Sequence, residues 1–351
     1  MKILYALQAT GNGHICRANE ILPVLQRMAE VDVLLSGTQA DVGLNYFVKY
    51  RRKGLSFVFG KKGGVDYLKT LQELKTKVFL KEVKSIPVEN YDFVINDFEP
   101  LTAWACKKKN VLCIALSHQY AVIEKLSPKP PKYDPMAWLV LRYYAPCDMG
   151  LGFHFKNYTN TIFTPVIRSE IRDAYIRNLG HYTVYLPAYS DKRLLKALTA
   201  HPSVQWHIFS KHCKKSFSEK NCWVRPVNNF DFISSSTTCE GILCGAGFET
   251  PAEAIFVNKK LLVIPMKGQY EQHCNAAALR ELAIPVLKKL SLKKHKKIAE
   301  WLNTPVKVHI EYPDNTESII RTVFSMANNT LKQPNISLEN HLIEQTEEVM
   351  L

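Results

Sequence analysis

Short apolar runs alternate with amphipathic stretches along almost the whole chain, and this rhythm restricts the fold more than any other feature. In the first half the runs are Ile3 to Leu7, Val31 to Leu35, Leu55 to Phe59, Phe93 to Ile95 and Val111 to Leu116. In the second they are Thr183 to Leu186, Gln205 to Phe209, Gly241 to Cys244 and Leu261 to Ile264. Continuous apolar runs of this length are what strands buried on both faces look like, and the helical patterns between them provide the crossovers that parallel strands need. The expected class is α/β, and 351 residues exceed what one core usually organises, so two Rossmann-like parallel-sheet domains are expected. The joint falls where Pro165-Val166-Ile167-Arg168 precedes a charged stretch and Gly180 opens a new strand. This divides the chain into 1–178, 179–327 with a closing helix at Ser318 to Ala327, and a polar peripheral tail over 328–351.

Charge narrows the partners without choosing one. Lys and Arg exceed Asp and Glu by 46 to 32, a formal charge of +14, which favours acidic partners: nucleic acid, anionic lipid or a phosphorylated substrate. No helix-turn-helix, ribonucleoprotein motif or Cys/His finger accompanies the charge, so nucleic acid is set aside. Nine cysteines without a Cys-x-x-Cys pair cannot all be bridged, and they point to a reducing compartment. Met1-Lys2 followed by Ile3 to Leu7 reads as a first strand rather than a signal peptide, and no apolar stretch approaches the roughly 20 residues of a membrane span. A cytoplasmic protein is expected.

The chemistry concentrates in Cys244 to Ala276. The run Gly241 to Cys244 leads into Gly245-Ala246-Gly247-Phe248-Glu249-Thr250, and Pro251-Ala252-Glu253-Ala254 then starts a helix. Strand, small-residue turn and helix N-terminus make an anion site, because close backbone approach, free N–H groups and the helix dipole all favour a diphosphate. A glycine turn is also what any βα unit of such a sheet uses. Thr250 either caps the helix or gives its hydroxyl to phosphate, and Glu253 either completes a capping box or accepts two ribose hydroxyls. Beyond the strand Leu261 to Ile264, the loop Met266 to Ala276 is rich in the hydrogen-bonding side chains that hold sugars.

This block resembles the donor-binding segment of glycosyltransferase families 1 and 28, whose pattern is a glycine pair, a Ser or Thr, a Glu three residues on, a strand ending in Pro, and an acidic-Gln pair before Asn-Ala. The resemblance implies a GT-B fold, two Rossmann-like domains across a cleft. It places Gly245 and Thr250 on phosphate, Glu253 on ribose, Glu271 and Gln272 on sugar hydroxyls, and Asn275 on the helical sequel. Two departures stand out: Cys244 replaces the histidine common before the glycines, and Ala246 replaces the second glycine. Phosphate contacts then fall to the backbone of Ala246 and Gly247, and a catalytically silent protein stays open.

Near the N-terminus, Gly11-Asn12-Gly13-His14-Ile15-Cys16-Arg17 has Cys16 where a dinucleotide fingerprint needs glycine and lacks the Gly-Lys-Ser/Thr of a P-loop. The Gly-x-Gly-His turn resembles the first loop of the same transferases, which implies His14 as acceptor base; in isolation a histidine there is equally a cap or a packing residue. Asp97, after Phe93 to Ile95, is the candidate to orient it, or else caps the next helix. Gly13, Arg17, Glu99 and His118 are further candidates for acceptor or phosphate contact, with solvent exposure the plain alternative for Arg17. No Asp-x-Asp occurs, so no metal is assigned, and no cofactor is expected because the nucleotide-sugar is a substrate.

The reading is a metal-independent inverting transferase moving a sugar from a nucleotide diphosphate, a UDP-sugar first, to a hydroxyl acceptor such as a lipid or glycan. A nucleotide-sugar epimerase of the same fold and a silent binding protein are the alternatives. Lys61, Lys62, Lys69, Lys75, Lys77, Lys81 and Lys84, interleaved with Val65, Leu68, Leu71, Leu74 and Val78, suit either an amphipathic helix on an anionic inner membrane face or a solvated face. Lys288 to Lys297 reads as an exposed loop or helix end.

Overall fold

The structure is a computed structural model and describes residues 1–9, 11–37, 43–55, 76–305, 308 and 310–332. Two sheets are present. The first is wholly parallel and contains β1 (Lys2–Gln8), β2 (Glu30–Ser36), β3 (Tyr50–Arg52), β4 (Phe93–Asp97), β5 (Cys113–Ser117), β6 (Met149–Phe153) and β7 (Ile162–Phe163) in the order β3-β2-β1-β4-β5-β6-β7. The second contains β8 (His181–Tyr185), β9 (Gln205–Ser210), β10 (Phe217–Glu219), β11 (Cys222–Pro226), β12 (Gly241–Gly245) and β13 (Lys260–Ile264) in the order β10-β11-β9-β8-β12-β13, with only β10 antiparallel. Together they give the α/β architecture of two mostly parallel, helix-covered sheets.

Strand order reverses once in each sheet, between β1 and β4 and between β8 and β12. Such reversals open crevices at the carboxyl ends of the strands. Leu7 pairs with Asp97 across the first reversal, so the loop after β1 and the end of β4 meet there by construction. The two sheets share one apolar cluster, in which Ile3, Tyr5 and Ile15 join Ile242, Cys244, Phe248 and Ile255.

Several elements differ from the sequence expectation. Residues 56–59 of the expected run Leu55 to Phe59 lie outside the described residues, and a short strand that the runs did not include is present at Tyr50–Arg52. The strand β6 escapes pattern reading because Gly150 and Gly152 dilute its apolar character. Both are required by packing: a Cβ on Gly150 would lie 2.5 Å from that of Ala115, and one on Gly152 2.7 Å from Ala121. The closing helix is longer, Thr316–Leu331, and it returns to the first sheet rather than covering the second. Its Phe324 ring stands edge-on to Phe93 at 5.6 Å, and Thr330 reaches the Met149 sulfur. Of the tail, residues 333–351 lie outside the described residues.

Of the first basic patch, residues 60–75 likewise lie outside the described residues; Lys77, Lys81 and Lys84 are exposed on the helix Lys77–Ser85, which buries Phe79 and Val83. The second patch forms a 3-10 turn, Leu292–Lys294, and the solvated start of the helix His295–Asn303. Among the described residues, no helix is long and apolar enough to cross a membrane.

Candidate active site

The helix Asn12–Met28 begins directly after the loop that leaves β1. Residues three apart share a helix face, so His14 and Arg17 both project onto the end of β4. There His14 Nδ1 lies 2.9 Å from Asp97 Oδ1. Arg17 donates from Nη2 to Asp97 Oδ1 and Oδ2 at 2.8 and 2.9 Å and from Nε to Oδ2 at 3.2 Å. Its Nη1 donates to Glu249 Oε1 at 2.7 Å. Asp97 is fully buried and Arg17 is 3% exposed. Burial raises the Asp97 pKa, but the charges of Arg17 and His14 outweigh it and hold the carboxyl below its ordinary value. Arg17 thus does not face solvent, and its guanidinium is held between two carboxylates. The helix cap that Asp97 might have been is Glu99 instead, whose carboxylate accepts the Leu101 and Thr102 amides at 3.0 and 2.7 Å.

A cavity of about 220 Å³ opens beside this cluster, lined from the first sheet by Gly11, Asn12 and Gly13 and from the second by Gly247 to Thr250 and Glu253. Gly13 lies directly against the Glu249 side chain. A Cβ would overlap the Glu249 carboxylate, at 2.6 Å or less from both oxygens and their carbon. Thr250 lines the cavity in the first turn of the helix Glu249–Phe256, whose N-cap residue, Phe248, makes no side-chain cap. Glu253 also lines it but forms no capping box. Both of its oxygens are taken by Arg168, through Nε at 2.5 Å and Nη2 at 2.8 Å, while Arg168 Nη1 reaches Asn229 at 2.7 Å. Sequence reading missed Arg168, Tyr185, Lys211, Asn228 and Asn229 as cavity residues. Tyr185 and Lys211 carried a usable signal, since each ends or follows a parallel strand on the crevice side; Arg168 carried none.

The remaining candidates form a second cluster that joins the two halves. His118 is 2% exposed, so it does not stand open to an acceptor. It stacks on Phe248 at 4.0 Å, with Nδ1 2.7 Å from Phe153 O and Nε2 2.8 Å from Asn275 Oδ1. Asn275 turns its oxygen that way because its Nδ2 donates to Ala246 O. Burial lowers the His118 pKa despite the nearby Glu271 carboxylate. Glu271 accepts from Gln119 Nε2 at 3.1 Å, and Gln272 Oε1 accepts the Met266 amide at 2.8 Å and lies 3.7 Å from where a Gly245 Cβ would be. Glu99 is fully buried as the cap of its own helix start and does not line the 220 Å³ cavity. None of His118, Glu271, Gln272 and Asn275 lines the 220 Å³ cavity.

A family model described as glycosyl transferase family 1 matches residues 1–305. No curated protein sequence matches. Among solved structures, the chain is similar to a putative UDP-N-acetylglucosamine 2-epimerase from Listeria monocytogenes (11% identity, 93% of this chain and 97% of that one, TM-score 0.59). It is also similar to the glycotransferase of kitacinnamycin (12%, 95% and 98%, TM-score 0.57) and to UGT2 of Phytolacca americana, solved with UDP-2fluoro-glucose and pterostilbene (12%, 99% and 99%, TM-score 0.56). At these identities the structural likeness shows the fold, GT-B.

Proposed function

The chain belongs to glycosyl transferase family 1 and is a glycosyltransferase, and on that premise we propose a metal-independent, inverting transfer of a sugar from UDP to an acceptor hydroxyl. The His14–Asp97 pair, 2.9 Å apart at the crevice end of β4, carries this reading. A carboxylate on Nδ1 keeps the proton there, so that Nε2 offers its lone pair to the acceptor hydroxyl. Arg17 Nη2 lies 3.2 Å from the same Nδ1, and a guanidinium only donates. The base therefore depends on Asp97 winning that nitrogen; the alternative tautomer, with Nδ1 accepting from Arg17, would put the proton on Nε2.

The acceptor oxygen attacks the anomeric carbon as the bond to the diphosphate oxygen breaks, which inverts the carbon. Glu249 and Thr250, at the start of the helix Glu249–Phe256, line the cavity, and the free amides of a helix start and a threonine hydroxyl suit a leaving diphosphate. The cavity between the two strand-order reversals suits the donor, and its UDP-sugar identity is supported by the nucleotide-sugar seen in the Phytolacca protein. Glu253 is a ribose ligand in this scheme only if it shares its oxygens with Arg168 or leaves it.

UDP release and product stereochemistry, followed over UDP-sugars and a panel of lipid, glycan and phenolic acceptors, test the scheme. His14→Ala is expected to lower turnover by roughly 10²- to 10⁴-fold, the usual contribution of a general base, with UDP affinity nearly unchanged. Retained turnover removes the base assignment, and a product of unchanged anomeric configuration removes inversion. Conversion of UDP-N-acetylglucosamine to an epimer without acceptor replaces transfer by epimerisation.

A further inference from the structure

Resting on the donor reading above, we infer that Glu249 is an internal occupant of the phosphate site: its carboxylate holds Arg17 and covers Gly13 until the donor diphosphate displaces it.

Arg17 is buried between two carboxylates. Asp97 accepts three of its hydrogen bonds and Glu249 a fourth, at 2.7 Å. With His14 neutral, these groups carry one net negative charge, an unfavourable reception for an anionic ligand. The carboxylate also lies against Gly13, filling the space that a side chain there would take, and it does so in the first turn of the helix whose free amides suit phosphate. An arginine, a glycine-floored loop and a helix start surround one anion, and that anion belongs to the chain itself.

The neighbouring pair shows why Glu249 is the mobile one. Glu253, one turn on, is held through both oxygens by Arg168 and its side chain is 9% exposed. Among the described residues, Glu249 has a single ion pair, and its side chain is 28% exposed on the cavity wall. Swinging it into the cavity mouth breaks one charge-assisted bond, which a phosphate oxygen replaces on Arg17. Donor binding would then exchange the Arg17 partner without leaving the buried guanidinium half paired.

Calorimetric titration of the full chain and of Glu249→Gln with UDP and with uridine tests the exchange. Glu249→Gln removes the competing charge and keeps the side-chain shape, so UDP is expected to bind on the order of tenfold more tightly, the scale of one partly screened charge interaction, while uridine binds equally to both. Glu249→Ala is expected to shift UDP in the same direction and replaces the first variant should that one fail to fold, as read from its melting curve. If UDP binds the unaltered chain and binds the variants equally or more weakly, or if uridine gains as much as UDP, the inference fails while the donor reading stands. If UDP binds none of them, both fail.

Discussion

At the residue scale, function and stability meet in two arginine–glutamate pairs that cross between the halves of the molecule. Arg168 and Glu253 are both nearly buried and satisfy each other through two hydrogen bonds. Such a pair contributes little against an apolar replacement, but removing one partner leaves a buried charge uncompensated. Glu253→Ala is therefore expected to destabilise the fold by about 3 kcal/mol, read from urea unfolding, and to weaken UDP binding as well if the same carboxylate also takes ribose. The three-residue spacing of His14 and Arg17 puts them on one helix face, a relation the sequence reading did not use. Their partner did not follow from spacing: Asp97 lies 83 residues from His14, and only the β1–β4 pairing brings it there.

At the element scale, the crevice is built by helix starts, and what satisfies their free amides decides which can receive a ligand. The helix Pro100–Lys109 is closed by its own Glu99, which accepts two amides and the Thr102 hydroxyl. The helix Glu249–Phe256 has no side-chain cap. Two acidic residues near helix starts thus have opposite uses, and the sequence Glu99-Pro100, with proline at the first helical position, is the signal that separates the first from a binding residue. Replacing Glu99 by alanine is expected to cost about 1–2 kcal/mol, a typical cap loss, measurable as a lower melting temperature. Its effect on UDP affinity should be small, because the cap lies outside the cavity.

At the scale of the whole molecule, buried histidines in both halves make the fold acid-sensitive. Burial depresses the pKa of six histidines, His118, His154, His181, His201, His207 and His273, with His207 brought down to about 4. Each binds a proton less readily folded than unfolded, so its contribution is complete above the ordinary histidine range and is lost as pH falls below about 6.5. Asp97, also depressed, adds a loss at still lower pH. Burial raises Glu20, Glu99 and Asp148, which work in the other direction, but they are fewer. The urea midpoint at pH 5.5 is expected to lie below that at pH 7.5; an unchanged or higher midpoint would show these histidines to be accessible to protons in the folded protein.

By itself the sequence determined the alternation of strands and helices, the presence of two parallel sheets and the crevice-edge positions of His14, Asp97 and Gly247 to Thr250, because each depends on local periodicity or on a turn next to a strand. Gly150 and Gly152 hid a strand for the opposite reason: the packing that requires them removes the apolar signal. Only the tertiary structure decided that Glu253 faces Arg168, that His118 lies buried against Phe248 and Asn275, and that Glu249 occupies Arg17. A carboxylate or imidazole has the same sequence appearance whether it meets a ligand or a distant side chain. Which it meets is set by strand order and by the closing of the two halves, and neither is written in the residues around it.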